Sequence, residues 1–115
     1  MSRVVVDAGS CGFRAEIRVE RLEGTKVRIA LSSGCEMLER MNADLREVDW
    51  RETLGSLENS LVYRVASRHI SRAACPVPSA IVKAIEVEVG AALPAQQRRG
   101  AEVSARVQFA PAEAQ

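Results

Sequence analysis

Three cysteines, Cys11, Cys35 and Cys75, are the side chains of this chain best suited to chemistry, and each stands beside a break between regular segments. A thiolate is both a nucleophile and a ligand for soft metals. Cys75 has the most informative surroundings, because Ala74-Cys75-Pro76-Val77-Pro78-Ser79 runs straight into an amphipathic segment. Proline fits the first turn of a helix, where the amide it lacks has no intrahelical partner. The pattern therefore predicts Cys75 at the N-cap, Pro76 at the first helical position and Pro78 at the third. A sulfur there faces the positive end of the helix dipole and the free amides of Val77 and Ser79, a setting that favours the thiolate.

The junctions between strands and helices of a two-layer fold tend to gather at one end of the sheet. If the three thiols meet there, His69 or Asp7 would complete a four-ligand zinc site, or the sulfurs would hold an iron–sulfur cluster. The cysteines lie 24 and 40 residues apart with no Cys-x-x-Cys pair, so convergence depends on tertiary structure alone. Against the ligand reading stands the packed one, since cysteine is also a small hydrophobe often found in cores. His69 has no companion at recognisable spacing and reads as a surface or hydrogen-bonded residue ahead of a ligand. Asp7 reads as a cap on the glycine-rich turn at 9–12. Arg64, Arg68, His69 and Arg72 form a basic stretch before Cys75, either an anion or acidic-partner site or a solvated face. Glu86 and Glu88 are assigned to a solvated helix face. No phosphate-binding glycine loop, Ser–His–Asp order or His-Glu-x-x-His pattern is present.

The elements that must position these groups follow from periodicity. Residues 3–8 are a continuous valine-rich run, read as a strand buried on both faces. Phe13, Ala15, Ile17 and Val19 alternate with charged residues, and Val27, Ile29 and Leu31 do so after a turn at Glu23, Gly24 and Thr25, which makes a hairpin. Cys35 then opens a helix running to Asn42, with Ser33 as its cap and Glu36 closing a capping box. The segment 43–60 reads as irregular. Ser60 caps a short segment with Leu61, Val62, Val65 and Ala66, whose residues suit helix or strand. The helix after Cys75 places Ile81, Val82, Ile85 and Val89 on its packed face and ends at Gly90, with Pro94 beyond. After a turn at 96–100, Val103, Ala105, Val107 and Phe109 alternate as a last strand, and 110–115 is a frayed tail. The order β-β-β-α-(α)-α-β gives an α+β fold, a mainly antiparallel four-stranded sheet with helices on one face, as one domain over residues 1–109.

Composition narrows the function classes. With 16 basic and 15 acidic side chains, and aromatics at only 3%, nothing steers the chain to nucleic acid or stacks bases. No apolar run is long enough to span a membrane, and an odd cysteine count without a secretory pattern suits thiols in the cytoplasm. An exposed Phe13 or Phe109 edge strand would permit a homodimer.

The blocks Val6-Asp7-Ala8-Gly9-Ser10-Cys11-Gly12-Phe13, Ser33-Gly34-Cys35-Glu36 and the stretch from Ala74 through Val87 resemble those of a family of small prokaryotic proteins whose activity is not established. In that family the positions just before the Cys-Pro-Val-Pro block often hold further Cys or His; here Ile70 and Arg72 hold neither. Locally, Cys75-Pro76-Val77-Pro78 is similar to the Cys-Pro-x-Pro motif of TusA-type sulfur carriers, which implies a cysteine that accepts a persulfide and hands it on. Those carriers place the motif after their first strand, whereas this chain places it late. The residues together predict a small cysteine-dependent binding or carrier protein. Cys75 is its metal-ligating or sulfur-carrying thiol, and Cys11 and Cys35 are co-ligands or resolving thiols. The alternative is a structural or regulatory interaction module with packed cysteines, which contacts a protein partner. A free-standing enzyme ranks below both, since no acid–base constellation accompanies the thiols.

Overall fold

A computed structural model describes residues 1–7, 12–91 and 102–106. Cys11, the turn at 9–12 apart from Gly12, Pro94, the turn at 96–100, Val107, Phe109 and the tail at 110–115 lie outside the described residues. The elements are β1 (Ser2–Asp7), β2 (Arg14–Arg21), β3 (Lys26–Ser33), α1 (Glu36–Leu45), β4 (Glu47–Asp49), α2 (Leu61–His69), α3 (Val77–Val89) and β5 (Glu102–Arg106). The sheet runs β4-β3-β2-β1-β5, with the first four antiparallel and β5 parallel to β1. The expected α+β architecture is present. It gains one short strand, β4, inside the segment read as irregular, followed by a single 3₁₀ turn at Trp50–Glu52.

Alternation decides which side of the sheet is covered. Val4 and Val6 of β1, Ala15, Ile17 and Val19 of β2, and Val27, Ile29 and Leu31 of β3 are buried. They face α1, which lies on β3, and α3, which lies on β1 and β2, while α2 packs between the two helices. β1 is therefore not buried on both faces: Arg3 and Val5 are half-buried on the side that bears no helix. On α3 the buried stripe is Val77, Ala80, Ile81, Ala84 and Ile85, with Val82 and Val89 only flanking it. That stripe follows the i, i+3, i+4, i+7 pattern of a core-facing helix, and each large aliphatic it removes from water contributes about 1.5–3 kcal/mol. The segment at 60–69 is helical, its Val62, Val65 and Ala66 buried at the same spacing.

The ends of these elements have specific closures. Gly90 adopts φ +78° and terminates α3, with Ala91 N–H donating to the Glu86 carbonyl and Gly90 N–H to that of Val87. Glu88 corrects the expectation of a solvated glutamate. Its side chain is only 12% exposed and accepts from the Ser2 hydroxyl at 2.8 Å and the Arg21 amide at 2.9 Å, tying the end of α3 to β1 and β2. Its carboxylate also stands 3.4 Å from the N-terminal ammonium.

Candidate functional site

One cysteine stands where β3 passes into α1 and another where α2 passes into α3. Cys35 is the N-cap of α1, in extended conformation, its carbonyl accepting from the Leu38 and Glu39 amides at 3.1 Å each. The expected capping box between Ser33 and Glu36 is not made. Ser33 lies two residues before the N-cap: its hydroxyl accepts the Cys35 N–H at 3.1 Å and donates to the Arg14 carbonyl, and its own amide donates to Glu39. Glu36 and Glu39 in the first turn complement the helix dipole.

Cys75 is displaced by one position from the expected N-cap. Pro76 takes that place, so Val77 and Pro78 occupy the first two helical positions and Cys75 precedes the cap. The reason is a turn in which the Cys75 N–H donates to the Arg72 carbonyl at 3.2 Å, while the helical ladder begins with Ala80 N–H on the Pro76 carbonyl. The two prolines remove donors, so Val77 and Ser79 supply the amides of this first turn.

Cys35 and Cys75, 40 residues apart in the chain, line one cavity of about 430 Å³. Both are half-buried and pack against the main core. The lining is otherwise apolar, from Phe13, Ala15, Leu38, Ile70 and Val77 among others, with two exceptions: Met37 brings a third sulfur, and Arg72 brings the one charged side chain among the described lining residues. Phe13 stands at the entry of β2, 44% exposed, rather than on the buried face with Ala15. The Met37 sulfur accepts a hydrogen bond from the Ser71 hydroxyl at 3.5 Å. A volume of this size falls within the range of small-ligand pockets, whose walls are typically apolar with a few placed polar groups.

His69, the last residue of α2, does not line this cavity. Its Nε2 stands 2.8 Å from an Asp44 carboxylate oxygen, linking α2 to α1. Asp7 ends β1 in register with Arg14. Of the basic stretch, Arg64 and Arg68 are exposed on α2, and only Arg72 reaches the cavity. Among the described residues no three His, Cys, Asp or Glu side chains gather as a ligand set, and no helix is long and apolar enough to cross a membrane. Met37 was not signalled by the sequence reading; its spacing of two from Cys35, at the start of a helix, was the available clue.

The chain matches a family of unknown function, DUF6951, over residues 2–99. It belongs to that family. The match takes in β1 through α3 and so the whole lining of the Cys35–Cys75 cavity. No curated protein and no solved structure matches the chain.

Proposed function

We propose that this protein is a small cysteine-dependent binding or carrier protein, in which Cys75, with Cys35 beside it, presents sulfur to a ligand held in the shared cavity. The observation that carries the reading is the meeting of two cysteines from distant helix entries on one apolar cavity. A packed cysteine needs no cavity next to it, whereas a ligating or sulfur-carrying one needs room for its cargo. Cys35 caps α1 and Cys75 immediately precedes the N-cap of α3, so both thiols stand at helix entries beside the cavity. In metal form the sulfurs would take zinc or an iron–sulfur cluster with Cys11 as a further ligand. In carrier form Cys75 alone would suffice: its thiolate takes the outer sulfur of a donor persulfide, expelling the donor's thiolate, and passes that sulfur to an acceptor thiolate, which returns Cys75 to the thiolate.

Thiol labelling and metal analysis test this together. Protein purified without an affinity tag is expected either to hold about one equivalent of metal, lost in Cys35→Ser, or to alkylate at Cys75 below pH 7 while Cys75→Ser keeps its far-UV circular dichroism. Slow labelling of every thiol in the native state, with no metal, would overturn the reading in favour of a protein-interaction module.

A further inference from the structure

Three sulfur-bearing side chains stand among the described residues that line the cavity: Cys35, Cys75 and Met37. We infer, building on the cysteine-dependent reading above, that its ligand is a soft monovalent metal, cuprous copper, bound by the two thiolates and the Met37 thioether. Thiolate and thioether donors select Cu(I), whereas a structural zinc site closes with four ligands. Among the described residues no three His, Cys, Asp or Glu side chains gather to begin such a set. His69 is turned to Asp44 instead. A low-coordinate soft ion needs no such set.

Three further features fit this ion. Most of the lining side chains are apolar, and an apolar shell around a metal site lowers the local dielectric and tunes the bound ion. Two thiolates and one Cu(I) sum to a single negative charge, and Arg72 supplies the offsetting positive charge from the same lining. The turn that bonds the Arg72 carbonyl to the Cys75 amide fixes the two residues to each other. The Ser71 hydroxyl donates to the Met37 sulfur, which orients the thioether while leaving it a second lone pair.

The experiment titrates Cu(I) anaerobically into the apoprotein against bicinchoninate, with Zn(II) titrated in parallel. The inference expects one equivalent of Cu(I) per chain, abolished by Cys35→Ser and by Cys75→Ser, unaffected by Cys11→Ser, and weakened roughly tenfold by Met37→Leu, the loss of one weak ligand worth about 1.4 kcal/mol. Far-UV circular dichroism of each variant separates a lost ligand from a lost fold, and Met37→Leu conserves volume. If Cu(I) binding is indifferent to Met37→Leu but abolished by Cys11→Ser, or if Zn(II) binds in preference, the soft-copper inference falls while the cysteine-dependent reading stands. Absence of any metal binding, with slow alkylation of all three thiols, removes both.

Discussion

Replacing Asn42 with alanine should cost more than an exposed helix position ordinarily does, because this side chain stands in for a strand. β4 pairs with β3 only along Lys26, Val27 and Arg28. Beyond it the edge of β3 is covered piecemeal: Ile29 N–H donates to the Arg46 carbonyl at 3.1 Å, and Asn42 then grips both backbone groups of Leu31. The Leu31 amide donates to Asn42 Oδ1 at 2.8 Å, and Asn42 Nδ2 donates to the Leu31 carbonyl at 2.9 Å. Two partly buried hydrogen bonds at a net 0.5–1.5 kcal/mol each put the expected loss at about 2 kcal/mol. For a domain of this size that lowers Tm by about 8 °C. Asn42→Asp should not rescue it, since a carboxylate can accept from the Leu31 amide but opposes its carbonyl. Urea denaturation followed by circular dichroism gives the free energy, and amide exchange should quicken at Leu31. A loss under about 0.5 kcal/mol in Asn42→Ala, with Leu31 exchange unchanged, would refute the argument that α1 is pinned to the sheet this way.

Other outcomes follow from the same structure. Glu16 is held between Arg3 and Arg18, whose hydrogen bonds bring its carboxyl from the ordinary 4.5 down to about 2. Its folded pKa lies below the unfolded one, so its contribution is complete above about pH 5 and is lost as pH falls from 4.5 towards 2; Glu16→Gln should flatten thermal stability in that window. Ile81→Ala, at a fully buried site on α3, should cost about 2–5 kcal/mol by urea denaturation, where Cys75→Ser costs far less. Trp50 Nε1 is buried without a hydrogen-bond partner, so Trp50→Phe should change stability by less than about 1 kcal/mol although it removes a ring, the relief of the orphaned donor offsetting the lost contact.

Strands β1 to β3 and the helices at 36–45 and 77–89 were readable because each keeps one period over several residues, as Ala15, Ile17 and Val19 do at two and Val77, Ala80, Ile81, Ala84 and Ile85 do at the helical spacing. Boundaries were less so. One turn bond from Cys75 to Arg72 moved the start of α3 by a residue and gave the N-cap to Pro76, while the cap predicted for Ser33 went to Cys35. β4 escaped because three residues carry no period, and its existence depends on the edge of β3 it meets. Glu88 looked solvated from its own helix; Ser2 and Arg21, more than sixty residues away in the chain, make it a tether.

Sequence by itself determined the alphabet of this protein: the aliphatic stripes that select an α+β sandwich of helices on a sheet, the glycine that ends α3, and thiols next to helix entries. Those are properties of neighbours a few residues apart, fixed by backbone geometry and local burial. Only the tertiary structure decided that Cys35 and Cys75 share a cavity with Met37 and Arg72 while His69 turns away to Asp44. Residues 40 apart in the chain can be brought together in many ways, and it is the packing of α1 and α3 on one face of the sheet that chooses which ends meet.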